Sequence, residues 1–177
     1  MNLYRGMVGN YQIRRPCDDP DVLIMNSFGT VTNPWGVNAR IKAFAARIAY
    51  AHKVPVITDA RMEETYGSLP PGFVFVVDGP ISNRKGEGFG TFDVLEGAKG
   101  IMDAEGLTNP MLVGQACHVH RTALQAMSAK IKMDPIVPKG LPYQFDSHSE
   151  QIWTRSLPLW IAHEVIGAQV LRKRGQL

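Results

Sequence analysis

The chain has 177 residues and a mass of 19.6 kDa, the size of one ordinary domain and long enough to bury a core without disulfide staples. Apolar residues make up 45% and charged residues 20%, close to the globular average, which excludes a disordered or collagen-like chain. Lys and Arg number 19 and Asp and Glu 16, a net charge of +3. The basic clusters, Arg14-Arg15 and Arg172-Lys173-Arg174, are short, so nucleic acid is not an expected partner despite a pI near 9.0.

Two cysteines, Cys17 and Cys117, read most simply as reduced thiols in a reducing compartment. The first ten residues lack the apolar stretch of a signal peptide, and no run approaches the ~20 apolar residues of a membrane span. The expectation is a single domain over residues 1–177, without a membrane span and cytoplasmic.

In chain order, residues 21–26 form a compact apolar run ending in a turn-prone stretch at Ser27. From Val37 the spacing changes: Val37, Ile41, Phe44 and Ile48 share one helical face. Residues 54–58 predict a second buried strand, with Pro55 near its start where a strand tolerates one. Residues 73–77, β-branched and aromatic throughout, predict a third. A Gly-rich loop leads to a helix over 91–105, and residues 111–113 predict a fourth strand. His120, Leu124, Met127 and Ile131 then share a helical face. Residues 135–137 predict a weak fifth strand. A polar loop over 140–149 precedes a helix over 158–172, whose Trp160, Ile161 and Val165 are expected to make the packing contact, leaving His163 and Glu164 solvated. Apolar strands separated by helices predict an α/β fold: a three-layer, Rossmann-like domain with a mainly parallel sheet of about five strands.

In such sheets ligands sit beyond the carboxyl ends of the strands, where the strand order switches. The densest polar stretch, residues 115–121, falls at the end of strand four and the start of the next helix. His118 and Arg121, three apart, share a helix face near its positive N-terminus, an arrangement suited to an anionic ligand held by backbone N–H groups and a bidentate guanidinium. His118 can then donate a proton or orient a substrate oxygen; the structural alternative is a histidine satisfied by backbone. Cys117, His118 and His120 fit a metal poorly, because sequence neighbours point apart and no second ligand cluster exists, so no metal is expected. A buried, inert Cys117 is the simpler reading beside a nucleophilic one. The loop over 85–91 meets neither the Walker A nor the G-x-G-x-x-G pattern, and Glu87 would repel phosphate; a lid or plain flexible loop is the expectation. Thr91 suits a helix N-cap, and Asp93 and Glu96 suit a first turn. Asn26, Ser27 and Thr30 are placed to hydrogen-bond a small polar ligand, as is Asp59 after strand two; turn chemistry explains the first three equally well.

The segments 91–98, 111–121 and 153–156 together resemble the bacterial YdcF/SanA-like family, a domain of unknown function. In the resemblance His118 and Arg121 match the family's His and Arg, and Gln115 stands where Ser or Asp is usual. Thr91 and one of Asp93 or Glu96 match the helix-start positions, and Arg40 is the match for an arginine of the first helix. The resemblance covers residues 91–164, a little under half the chain; the family's Gly-rich loop after strand one is not matched here, and neither is the membrane anchor of many relatives. It implies a Rossmann-like fold and roles tied to the cell envelope, and S-adenosylmethionine is a possible cofactor or ligand. The expected function is binding of a small nucleotide-like or anionic ligand by Asn26, Ser27, Thr30, Arg40, Asp59, Thr91 and Gln115 together with His118 and Arg121. The alternative is a hydrolase or transferase acting on a phosphorylated or lipid-linked envelope intermediate. There Arg121 holds the anionic group, His118 is the general acid or base and Glu96 orients it.

Overall fold

The computed structural model describes residues 19–29, 36–64, 74–78, 90–131, 140, 142 and 144–173. Four strands, β1 (Val22–Met25), β2 (Val56–Asp59), β3 (Val74–Val77) and β4 (Pro110–Val113), form one sheet in the order β3-β2-β1-β4. Every pairing is parallel. All four residues of β1 are fully buried, as their unbroken apolar run requires of a strand covered on both faces. β2 begins at Val56 because Pro55 has no N–H to donate, although its carbonyl accepts from Leu23 N at 2.9 Å. At the opposite end Asp21 clamps β1 to β4: its carboxylate accepts from Thr108 N at 2.7 Å and Asn109 N at 2.9 Å.

Five helices complete the described structure: α1 (Val37–His52), α2 (Ala60–Glu64), α3 (Thr91–Glu105), α4 (Val119–Ser128) and α5 (Leu157–Lys173), with a 3-10 turn at Ile152–Thr154. Side chains alternate across β1, so the sheet faces two cores. Leu23 and Met25 pack with Val37, Ile41 and Ala45 of α1 and with Trp160 of α5, whereas Val22 and Ile24 pack with Leu95 of α3 and Val119 and Ala123 of α4. Helices therefore cover both faces. Residues in the left-handed region end two of them, Lys53 after α1 and Gly106 after α3. The strand expected at 135–137 lies outside the described residues. No helix among the described residues is long and apolar enough to cross a membrane.

Two helix faces differ from the sequence expectation. In α4 the buried side is Val119, Thr122, Ala123 and Ala126, while Met127, expected inward, is 46% exposed. Small residues let α4 approach the sheet and α3 closely, and that approach outweighs the larger Met. In α5 only Trp160 is buried; Ile161 and Val165 are exposed, and His163 and Glu164, expected in solvent, turn inward. An ion pair described below fixes that rotation.

Candidate functional site

The chain winds outward from β1 through β2 to β3 and then returns to the other side of β1 for β4. After β1 it enters α1 on one face, and after β4 it enters α4 on the other, so the two connections part at the carboxyl edge of the sheet. A cavity of about 460 Å³ opens at that edge, within the usual range for a small-molecule site. Its floor is Ser27, Phe28 and Gly29 after β1; one side is the start of α3, Gly90 to Asp93, and another is His118, Arg121 and Gln125 of α4. The 3-10 turn and α5 close it with Gln151, Trp153, Trp160, His163 and Gly167.

Local chemistry fixes each part. Phe28 N donates to Asn38 Oδ1 at 2.8 Å, tying the β1 loop to the first turn of α1. Gly29 has φ +79° and lies so close to Ser149 and Thr154 that a Cβ would come within 2.5 Å of the Ser149 hydroxyl oxygen. Glycine is required there on both counts. At the start of α3, Gly90 is the N-cap and its N–H donates to Asp93 Oδ2 at 2.9 Å, so Asp93 supplies the cap expected of Thr91. The hydroxyl of Thr91 is instead 3.2 Å from His118 Nε2.

His118 is almost fully buried, beside Phe28 and edge-on to Trp160. Arg121 Nη2 lies 3.2 Å from its Nδ1. A guanidinium only donates, so Nδ1 accepts, and in the neutral ring Nε2 carries the proton and donates to Thr91 Oγ1. Burial holds the His118 pKa well below the usual histidine value, and the nearby Arg121 and His163 push it the same way. The ring is neutral at pH 7, with its tautomer set by Arg121.

Arg121 itself is enclosed. Nη1 is 2.7 Å from Glu164 Oε1, both side chains being 13% exposed, and the guanidinium carbon lies 5.0 Å from the centre of the Trp160 ring. Burial pushes the Glu164 carboxyl up while Arg121 pulls it down. His163 is stacked on Trp153 with ring centres 4.7 Å apart, and burial together with Arg121 lowers its pKa to about 4. Arg61, also lining the cavity, places its Nε 3.6 Å from Asp59 Oδ1.

Of the residues singled out from sequence, Ser27, Thr91, His118 and Arg121 meet in this cavity. Asp59 supports it from behind: Oδ2 accepts from Ser27 N at 3.0 Å and Oδ1 from Met62 N at 3.2 Å. Gln115 is fully buried and starts α4, its Oε1 accepting from Cys117 N at 2.6 Å and His118 N at 3.1 Å. Asn26 is buried at the end of β1 with neither amide atom hydrogen-bonded. Glu96 is partly buried five residues along α3 and does not line the cavity; both His118 nitrogens already have partners, so Arg121 holds the orienting place expected of Glu96. Arg40 is exposed at a separate, shallower depression beside residues 144–148. Thr30 and the glycine loop over 85–89 lie outside the described residues. Cys117 is a buried thiol. Among the described residues no group of three His, Cys, Asp or Glu side chains is placed to hold a metal ion.

Sequence reasoning missed the wall contributed by α5 and the turn before it. A readable signal was the spacing of Trp160, His163, Glu164, Gly167 and Leu171, which forms one helical stripe. The aliphatic residues around it outweighed that stripe. Comparison with protein-family models, with curated proteins and with solved structures gives no match.

Proposed function

We propose that this chain is a small-ligand-binding protein of the Rossmann-like, three-layer type with about five strands, and that its ligand is nucleotide-like or anionic. The observation that carries the reading is the cavity at the parting of β1 and β4, where Ser27, Thr91, His118 and Arg121 converge. Open parallel sheets hold ligands at that place. The start of α4 has no acidic residue in its first turn, and its leading N–H groups are held by Gln115; the rings of Phe28, Trp153, Trp160 and His163 are part of the lining. S-adenosylmethionine is the candidate suggested by the YdcF/SanA-like resemblance. A thermal-shift panel of S-adenosylmethionine, its demethylated product, nucleosides, nucleotides and sugar phosphates tests the reading. A ligand at 100 times its Kd adds about 2.7 kcal/mol, a shift of roughly 5 °C or more in a domain of this size. The expected result is a shift in the wild type that Arg121→Ala loses; no shift with any compound overturns it.

The contact between Thr91 and His118 favours a second reading, a hydrolase or transferase acting on a phosphorylated or lipid-linked envelope intermediate. With Arg121 donating to Nδ1, His118 is not the base of a hydroxyl–imidazole pair. Its role in that reaction is donation from Nε2 to a developing oxyanion, with Arg121 beside the anionic group. Under this reading His118→Ala keeps ligand binding and abolishes turnover, and retained turnover removes His118 from the mechanism.

A further inference from the structure

The charges around the cavity are already matched. Two arginines line it, and each faces a carboxylate buried behind the wall: Arg121 with Glu164 at 2.7 Å, and Arg61 with Asp59 at 3.6 Å. The third charged residue of the lining is Asp93, which caps α3 and so offsets the positive end of that helix. His118 and His163 carry no charge at neutral pH, because burial and Arg121 lower both. The described lining thus offers one helix end without an acidic residue, that of α4, whose leading N–H groups Gln115 already takes, and no cation without a carboxylate partner. A multiply charged phosphate chain placed there would meet the Asp93 carboxylate, and among the described residues of the lining each arginine already has a carboxylate partner. A ligand with no net charge, or with one negative charge, meets no such penalty. The rest of the described wall mixes the rings of Phe28, Phe92, Trp153 and Trp160 with aliphatic side chains of α5 and a few neutral polar groups.

We infer that Glu164, by neutralising Arg121, makes the cavity select ring-bearing ligands of at most one negative charge and reject polyphosphates. The inference deepens the small-ligand reading above and rests on it. Glu164 is a specificity-determining and positioning residue: it does not line the cavity, and it acts through the guanidinium it holds. Loss of its charge leaves the guanidinium a net cation toward the cavity, which raises affinity for phosphate in particular.

The test is the affinity order of adenosine, AMP and ADP at low ionic strength, read by titration of the fluorescence of the chain's three tryptophans, of which Trp153 and Trp160 line the cavity. The wild type is expected to bind adenosine most tightly, AMP, whose phosphate carries about two negative charges at neutral pH, less tightly, and ADP least. Glu164→Gln is expected to shift the ratio of ADP to adenosine affinity toward ADP by about tenfold, the effect of one released charge at close range. A purely structural role for Glu164 would weaken all three alike and leave that ratio unchanged. ADP binding the wild type more tightly than adenosine overturns the inference while leaving the cavity as the site, and so does an unchanged ratio in Glu164→Gln. If the variant does not fold, the wild-type order alone decides. Absence of binding by all three compounds removes the nucleoside reading of the cavity, and this inference falls with it.

Discussion

Gln115 shows how one side chain starts an element and sets a site at once. Its Oε1 takes two N–H groups of the turn that leads into α4, and its Nε2 reaches Gln144 O at 3.4 Å. The bond to His118 N fixes the backbone from which the His118 ring reaches Thr91. Gln115→Ala is expected to lower the free energy of unfolding by about 1–2 kcal/mol, the usual cost of a lost cap with buried donors left open, and Gln115→Asn, which keeps an amide acceptor and donor without burying a charge, to lose less. Urea denaturation of the two variants checks this; equal losses would remove the cap from the account. His118 and Arg121 were legible in the sequence because a polar cluster at the end of an apolar strand is conspicuous. The roles of Gln115 and Asp59 were not. Both were expected to touch ligand, and both are hydrogen-bonded to backbone, since a buried amide or carboxylate is satisfied first by the nearest open N–H groups.

At the scale of elements, α3 has the predicted bounds and each of the four described strands differs from its predicted run by only one or two residues at an end, because a buried parallel strand writes itself as an unbroken apolar run. The rotation of α5 was carried only by the Trp160–Leu171 stripe, which hydropathy masks. Its aliphatic residues lie on every side, so hydropathy gives no preferred face, and the pair Arg121–Glu164 with the buried Trp160 chooses one. That pair joins residues far apart in sequence, which no local pattern records. Gly29 is where the β1 loop meets the segment that carries α5. Gly29→Ala forces a positive φ on a side chain and drives its Cβ into the hydroxyls of Ser149 and Thr154, which hydrogen-bond each other at 2.7 Å. The expected loss is about 1–3 kcal/mol, accompanied by faster amide exchange in Leu157–Lys173 than in α1. Wild-type exchange in that helix would show that the contact does not hold it.

For the molecule as a whole, buried histidines set the response to acid. His118 and His163 both have folded-state pKa values below the unfolded value of about 6.5. As the pH falls through 6.5 the unfolded chain takes up protons that the folded chain refuses. Stability from these groups is therefore fully present above about 6.5 and is lost toward the folded value, about 4 for His163. Glu164, raised above the ordinary carboxyl value of 4.5, acts in the opposite sense, gaining stability on acidification. The comparison of wild type with His163→Gln isolates the histidine: the variant is expected to lose less stability between pH 6.5 and 4. Parallel curves would show that His163 titrates alike in both states.

The described strands of the sheet end at Val113, yet the cavity is closed by residues 151–171. On the ribosome, the nascent chain passes through a stage in which all four strands have emerged and Trp160 has not. Phe28, which in the finished fold packs against Phe145 and Trp160 with ring centres 5.7 and 4.9 Å away, is then uncovered at the carboxyl edge of the sheet. The surface that later lines the cavity is, during synthesis, the surface a chaperone would hold.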